Sequence, residues 1–418
     1  MLKIDPITFI VISSLTIFIG YRFQKQPFRR DLLYILLLIG CLSVVYYIRS
    51  INIVTVEAAM KEAFKQTTLP PIKEPANKPK LKTPKTNLVV QGSGAGLIAM
   101  AGALYALKYN EFTKNVKKVA GVSSGSLLVY MIALGYSEEE ILRIVYHFNG
   151  DSLFDKNLFS SLRGLWSKCG FYSNEPLRIM VRMLEARKDM PENLTFEQLF
   201  EKRKIELFVV AVNINKSKTV VFSVKDTPNV AIRDAVCASM AVPYFFEPMR
   251  IKMDGESEAD VYVDGAMGIN FPLYLFKGEL SNTIGFKITD IYTKRDKEIY
   301  YPNHTITNIA NYSAALMIHN LFQLERLYLD LTDDFWNHVI GVPFDGANAL
   351  KFDISSDEKL KVMQTSFNEA IKQIENENKS GRFESMRLPP AVQGQLKQMS
   401  ATVRNIQLSP VDSLSPTI

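Results

Sequence analysis

Cysteine is scarce in this chain of 418 residues, which contains only three. Cys41 falls inside an apolar stretch, so Cys169 and Cys237 could form at most one disulfide bond. A large extracellular domain ordinarily carries more disulfides than that. The shortage therefore favours a cytosolic location for the main body of the protein.

An excess of basic charge is also missing from most of the chain, although the formal net charge is +6. Residues 1–86 contain 13 Lys and Arg against 5 Asp and Glu, a net charge of +8, which leaves residues 87–418 with a net charge of −2. A body without basic excess argues against nucleic acid as a partner. The apolar fraction of 47% and the charged fraction of 22% are typical of a folded protein.

Two apolar stretches lie close together near the N-terminus, at residues 7–21 and 32–48. The second is free of charge and reaches the lower end of the ~17–25 residues that cross a bilayer. Four basic residues lie between the two stretches. We expect residues 1–50 to form a two-pass transmembrane hairpin, with a cleaved signal peptide or two buried core helices as alternatives. Basic residues are balanced across the hairpin, so the cytosolic placement rests on the cysteine shortage.

Residues 51–86 are predicted to be a basic linker rich in proline and lysine. A short helical pattern is followed by five prolines and five lysines, which favour an extended chain with a reach of roughly 60 Å. The lysines would lie against anionic lipid headgroups or be solvated, and both interpretations stay open. They are Lys73, Lys78, Lys80, Lys82 and Lys85. At the other end of the chain, residues 379–418 are expected to form a loosely ordered tail.

Residues 87–378 have the pattern of one α/β domain, which begins with a glycine loop. NLVV predicts a buried strand, QGSGAG a tight loop and LIAMAGALYALKY a buried helix. Such a loop directs backbone N–H groups to one point, where a phosphate or an oxyanion can bind. A dinucleotide-binding fingerprint would have glycine where Leu97 stands, so the loop alone does not specify a function.

The motif GVSSG at residues 121–125 has the G-x-S-x-G pattern of a nucleophile elbow, with Ser123 at its centre. Gly121 and Gly125 leave space on a cramped turn between strand and helix. The preceding VKKVA predicts the strand, and SLLVYMIALG predicts a helix closed by Gly135. A capping box from Ser137 to Glu140 predicts the start of the next helix.

A serine nucleophile needs a base, and histidine, the usual base, is scarce in this chain. Two of the four histidines fall in apolar helical patterns, where a structural role is favoured. The four are His147, His304, His319 and His338. A carboxylate is the alternative: the strand pattern VYV ends at Asp264, before Gly265, in a place that suits either a catalytic carboxylate or a turn former.

Taken in order, these motifs resemble the patatin-like phospholipase family over roughly residues 87–365. The segments that carry the resemblance are QGSGAG, GVSSGSLLVYMIALGYSEEEI, LTFEQLF, FVVAVNINKSKTVVFS, AVCASMAVPYFFEPMRI and VDGAMGINFP. The resemblance implies a three-layer α/β/α sandwich with a central, mostly parallel sheet. It also implies an enzyme that hydrolyses carboxylic esters of phospholipids and needs neither a metal nor a cofactor.

A catalytic dyad is part of what the resemblance implies. Ser123 would attack the ester carbonyl, and Asp264 would accept its proton and later help to activate water. The oxyanion would be bound by N–H groups of the glycine loop, at Gly92, Ser93, Gly94 and Ala95. Gly265 and Ala266 complete the aspartate motif.

Two positions depart from the family pattern. The family's glycine loop usually continues with a basic residue and a glycine, where this chain has Gly96 and Leu97. The aspartate motif reads Asp-Gly-Ala rather than Asp-Gly-Gly. The first departure keeps open a second hypothesis, a catalytically weak lipid-binding or scaffold protein of the same fold. A third hypothesis is an α/β-hydrolase with a Ser-Asp-His triad.

Overall fold

The computed structural model describes residues 55–154, 164–165, 167–289, 335–344, 349, 351–381 and 383. Both apolar N-terminal stretches lie outside these residues, so the transmembrane hairpin stays a prediction, as does the tail. In the described part of the chain, no helix combines the length and the apolar character needed to cross a bilayer.

The helices begin and end where local signals predict. The helix after GVSSG ends at Leu134, and Gly135 follows in the left-handed conformation at φ 93°. The next helix begins with a capping box in which Ser137 and Glu140 bond reciprocally, so both predictions are confirmed. The α-helices of the described residues are α1 Val56–Lys65, α2 Leu97–Tyr105, α3 Phe112–Asn115, α4 Ser124–Leu134, α5 Glu138–His147, α6 Glu175–Arg187, α7 Phe196–Arg203, α8 Ile232–Ser239 and α9 Ser356–Ser380.

Eight strands of the described residues form one mixed sheet in the order β10-β9-β1-β2-β4-β8-β7, with β5 also paired to β4. The strands are β1 Asn87–Val90, β2 Lys118–Val122, β3 Gly170–Tyr172, β4 Glu206–Asn213, β5 Lys218–Phe222, β6 Tyr244–Phe246, β7 Met249–Ile251, β8 Asp260–Asp264, β9 Thr283–Thr289 and β10 Val339–Pro343. The first five strands in that order pair in parallel, whereas the β4–β5, β4–β8 and β8–β7 pairs are antiparallel. The prediction of a mostly parallel sheet thus holds for one half. The short connections β4–β5 and β7–β8 permit only antiparallel neighbours in the other half.

Two strands share one edge of β4. β2 pairs with β4 as far as Val122, which lies opposite Val210. β8 ends with Asp264 opposite Ala211, the next residue of β4. Because β5 pairs with residues 209–213 and occupies the other edge, β2 and β8 meet end to end. The chain continues from Val122 into Ser123 at this meeting point.

The sheet separates two apolar clusters. Leu88 faces the larger cluster, against which α2, α4 and α9 pack, and Val89 faces the smaller one, as the alternation of a strand requires. In the smaller cluster Val89 packs with Phe271 and Phe276, from the segment after the aspartate motif. Among the described residues this segment forms short 3-10 turns, so the second helical layer of the predicted sandwich is not part of what is described.

The segment before the domain packs on the domain, in contrast to the free spacer that its composition predicts. α1 buries Val56 and Met60 and contacts α5 and α6. Farther along, the Lys73 N–H donates to Gln364 Oε1 at 2.7 Å, and the Leu81 N–H donates to Asn110 Oδ1 at 2.7 Å. The described part of the linker is therefore not a free spacer, because its main-chain groups bond to the domain.

One of the five linker lysines is buried. Lys85 is only 8% exposed, and its Nζ donates to the Ser281 carbonyl at 2.7 Å. Burial lowers the pKa of Lys85, and the nearby Glu377 carboxylate partly opposes this effect. This lysine cannot lie at a lipid headgroup, whereas the other four are exposed.

Candidate functional site

The glycine loop and the serine turn lie at the same edge of the sheet. β1 and β2 are neighbouring parallel strands, with Val90 opposite Gly121. The loop that follows β1 and the turn that follows β2 therefore leave the sheet side by side. The end of β8 reaches the same place through its register on β4.

Ser123 stands on a strained turn between β2 and α4. Its backbone has φ 51° and ψ −132°, a conformation that non-glycine residues rarely adopt. A Cβ on Gly121 would lie 2.5 Å from the Gly125 carbonyl oxygen, and a Cβ on Gly125 would lie 2.5 Å from the carbonyl oxygen of Gln91. Both glycines therefore occupy positions without room for a side chain.

The hydroxyl of Ser123 contacts a buried carboxyl group. Ser123 Oγ donates to Asp264 Oδ2 at 2.6 Å, and Asp264 Oδ1 accepts from the Ala266 N–H at 2.9 Å. Asp264 is 3% exposed, and burial raises its pKa from 3.8 to about 7, while the two hydrogen bonds act in the opposite direction. A carboxyl group with such a pKa can accept and return a proton near neutral pH.

The glycine loop is held by its own main-chain groups. The Gly92 N–H donates to the Asn270 carbonyl at 3.2 Å, and Asn270 Nδ2 donates back to the Gly92 carbonyl at 3.2 Å. The Ser93 N–H donates to Ser124 Oγ at 3.2 Å. The loop is thereby joined to the aspartate motif on one side and to the serine turn on the other.

Of the four amides predicted to bind an oxyanion, only one is free in the described part of the chain. Gly92 and Ser93 donate as above, and the Ala95 N–H donates to the Ala349 carbonyl at 2.7 Å. The Gly94 N–H has no hydrogen bond to any described residue. Gly94 has φ +54°, and a Cβ there would lie 2.1 Å from the Ala349 oxygen, so the position requires glycine.

The departure from the family pattern at Gly96 has a steric reason. Residues Gly94–Gly96 form a 3-10 turn, and a Cβ on Gly96 would lie 2.8 Å from Ser93 Cβ and 3.1 Å from Phe344 Cδ1. The Cβ atom of a basic side chain at this position would therefore already be too close to its neighbours. The hydrogen bonds of Gly92, Ser93 and Ala95 hold this loop in its place.

The two histidines in the described residues have other positions. His147 Nε2 lies 3.3 Å from the Thr68 carbonyl oxygen. His338 comes directly before β10, so it lies at the opposite edge of the parallel strands from Ser123. His304 and His319 lie outside the described residues.

One contact of the serine turn comes from Ser239, a residue that is not among those predicted for the site. The Ser123 N–H donates to Ser239 Oγ at 2.8 Å, and Ser239 Oγ donates to the Val210 carbonyl at 2.6 Å. The sequence signal that points to Ser239 is its lone hydroxyl group in the apolar run AVCASMAV. Such a group needs a partner when it is buried.

Comparison with known proteins shows the family to which the chain belongs. The family model described as patatin-like phospholipase matches residues 88–277. Uncharacterized protein R571 of Acanthamoeba polyphaga mimivirus is 31% identical over 250 residues, which are 58% of this chain and 80% of that protein. The chain belongs to the patatin-like phospholipase family. Within this family assignment, the matched region contains the glycine loop, the serine turn and the aspartate motif.

Two further proteins are similar to this chain, one in sequence and one in structure. Probable lipid hydrolase 463L of Invertebrate iridescent virus 6 is 28% identical over 187 residues, 44% of this chain and 61% of that protein. The crystal structure of VipD from Legionella pneumophila superimposes with a TM-score of 0.36 at 15% identity, covering 85% of this chain and 87% of that chain. Similarity at that TM-score adds nothing to the assignment by sequence.

Proposed function

We propose that this patatin-like protein hydrolyses carboxylic esters of phospholipids, with Ser123 as the nucleophile and Asp264 as the base. The observation that carries the proposal is the 2.6 Å hydrogen bond from Ser123 Oγ to the buried Asp264 carboxyl group. Membership of the patatin-like phospholipase family supports a lipid ester as substrate. The relative described as a probable lipid hydrolase supports the same substrate class.

The proposed reaction has two steps that use the same pair. Ser123 Oγ attacks the ester carbonyl carbon while Asp264 takes the hydroxyl proton, and that proton passes to the departing alcohol oxygen. An acyl group then remains on Ser123. Asp264 next takes a proton from a water molecule that attacks the acyl carbonyl, and returns it to Ser123 Oγ as the fatty acid leaves. The raised pKa of Asp264 suits both transfers.

The glycine loop would stabilise the negative oxygen of each tetrahedral intermediate. Gly94 is the donor best suited to this role, since its N–H has no other partner among the described residues. The Ala95 N–H would become a second donor only after its bond to the Ala349 carbonyl breaks. One donor of this kind is worth ~3–4 kcal/mol of activation free energy.

A membrane anchor forms the second part of the proposal. Residues 1–50 would hold the enzyme at a bilayer and so raise the effective concentration of its substrate. The charge-free stretch at residues 32–48 supports this assignment. Cys169 and Cys237 are both free, which supports a cytosolic catalytic domain.

The test is fatty acid release from phosphatidylcholine vesicles by purified full-length protein. Ser123→Ala is expected to abolish release, whereas the matched control Ser152→Ala is expected to retain it. Ser152 is a suitable control because its hydroxyl donates to a local main-chain group, the carbonyl of Asn149, three residues earlier. Equal release by the Ser123→Ala variant and the wild type would contradict the proposal.

The alternative is a catalytically weak lipid-binding protein of the same fold. The bond from the Ala95 N–H to the Ala349 carbonyl favours it, because that bond takes up one predicted oxyanion donor. Vesicle binding without fatty acid release by the wild-type protein would support this alternative. Loss of release on substitution of His304 or His319 would instead support a Ser-Asp-His triad.

A further inference from the structure

We infer that Ser239 is a positioning residue that holds the backbone of the nucleophile Ser123 in its strained conformation. The inference rests on the proposed function, since it assigns a role toward the same nucleophile. Ser239 is the last residue of α8, and it is fully buried, with 0% exposure. Its hydroxyl accepts from the Ser123 N–H at 2.8 Å and donates to the Val210 carbonyl at 2.6 Å.

The two groups that Ser239 joins lie where the ladder between β2 and β4 ends. Val122 and Val210 form the last pair of that ladder, and the next residue of β4 already faces Asp264 of β8. Ser123 has left the strand conformation, with φ 51°. The Ser239 hydroxyl thus bridges the serine turn and β4 beyond the last rung, so two buried main-chain groups obtain partners.

The same segment also binds the other member of the pair. Two residues after Ser239, the Ala241 carbonyl accepts from the Asp264 N–H at 2.9 Å. The Val210 carbonyl, which accepts from Ser239, also lies close to Gly265, the residue after Asp264. A Cβ on Gly265 would lie 2.1 Å from the Val210 oxygen. Residues 239–241 therefore fix the main chain of both Ser123 and Asp264.

The role requires a hydroxyl group. One oxygen must accept a hydrogen bond and donate another at the same time, which serine and threonine can do and alanine cannot. A thiol is only a weak donor and acceptor, so cysteine would preserve the volume better than the hydrogen bonds. A misplaced nucleophile lowers the rate of attack more than it lowers substrate binding, because the alignment of reacting atoms is lost.

The test compares Ser239→Ala, Ser239→Thr and Ser239→Cys with Ser366→Ala. Ser366 is a matched control, since it is also fully buried and its hydroxyl donates to a main-chain carbonyl, that of Pro343. We expect Ser239→Ala to lower kcat about 10- to 100-fold with KM within about twofold of wild type. Ser239→Thr should recover most of kcat, and Ser366→Ala should keep all of it.

Hydrogen exchange of the Ser123 amide gives a readout that does not depend on turnover. The amide should be protected in the wild type and in Ser239→Thr, and should exchange faster in Ser239→Ala or, if that variant does not fold, in Ser239→Cys. Unchanged kcat and unchanged protection in the folded variants would overturn the inference. An equal loss of kcat in Ser239→Thr and Ser239→Ala would also overturn it, because packing rather than the hydroxyl would then explain the effect. Absence of turnover by the wild type, with the amide exchange as expected, would contradict the proposed function alone.

Discussion

Ser123 donates a 2.6 Å hydrogen bond to Asp264, although 141 positions separate the two residues in the chain. The contact follows from the register of β4, whose consecutive residues Val210 and Ala211 face the last residues of β2 and β8. Two strands that approach from opposite directions thus bring Asp264, the last residue of β8, and Ser123, the first residue after β2, to one point. The sheet itself positions the pair.

The pH dependence of hydrolysis is expected to follow the ionisation of Asp264. Only the carboxylate form can take the proton of Ser123, and burial raises the pKa of this group to about 7. The rate constant kcat/KM for a soluble ester should therefore rise with pH and level off above about pH 7. A rate that does not change between pH 5 and pH 9 would contradict the assigned base.

The buried carboxyl group should also make stability depend on pH. Because the pKa of Asp264 in the folded state lies above the unfolded value of 3.8, the folded state retains the proton of Asp264 to a higher pH than the unfolded state does. The contribution of protonated Asp264 to the stability of the fold is complete below the unfolded pKa, and it is lost as the pH rises through about 7. We expect Asp264→Asn to gain stability relative to wild type by up to about 4 kcal/mol between pH 4 and pH 8, at roughly 1.4 kcal/mol per pKa unit.

Urea denaturation at several pH values measures this difference. The free energies of unfolding of Asp264→Asn and the wild type should differ more at pH 8 than at pH 5. A difference that is the same at both values would show that ionisation of Asp264 does not oppose folding.

Gly125→Ala tests the space around the serine turn. The new Cβ would lie 2.5 Å from the Gln91 oxygen and 2.6 Å from the Val90 oxygen, both of them main-chain atoms that cannot rotate away. We expect a loss of about 1–3 kcal/mol in the free energy of unfolding. Gly278→Ala is the control, since no atom of the described residues lies within 4 Å of a Cβ there, and it should change stability by less than about 0.5 kcal/mol.

Gly94→Ala tests the oxyanion donor. A side chain at φ +54° is strained, and its Cβ would collide with the Ala349 carbonyl oxygen, so the loop must shift. We expect kcat to fall by about 10²- to 10³-fold, as when one oxyanion donor is lost. The Gly278→Ala variant should keep its kcat. A Gly94→Ala enzyme within twofold of wild type would exclude this N–H as a donor.

The sequence predicts the motifs of the site well, because each depends on local chemistry. A strand, a G-x-S-x-G turn and a buried helix at residues 118–134 follow from short-range patterns, and so does the glycine loop. The pairing of Ser123 with Asp264 follows from the family resemblance and not from spacing, which leaves Asp264 open to a role as a turn former.

Other features depend on tertiary contacts that a pattern does not contain. The end-to-end meeting of β2 and β8 is a matter of register, and the Ser239 hydroxyl bonds to the main chain on both sides of that point. The linker around Lys85 is rich in proline and lysine, yet it bonds to partners on α9 and on the turn before β9, far away in the chain. Composition describes its local stiffness but cannot show which surface it meets.

The most direct test of the account is the reaction of the protein with a fluorophosphonate. Two quantities are measured: which serine is modified, and how the rate of modification depends on Asp264. Mass spectrometry of the digested wild-type protein should find the phosphonyl group on the peptide that contains Ser123. Modification of Asp264→Asn should be at least about 100-fold slower, because a general base contributes 10²- to 10⁴-fold. Modification of a different serine, or an equal rate in Asp264→Asn, would contradict the account.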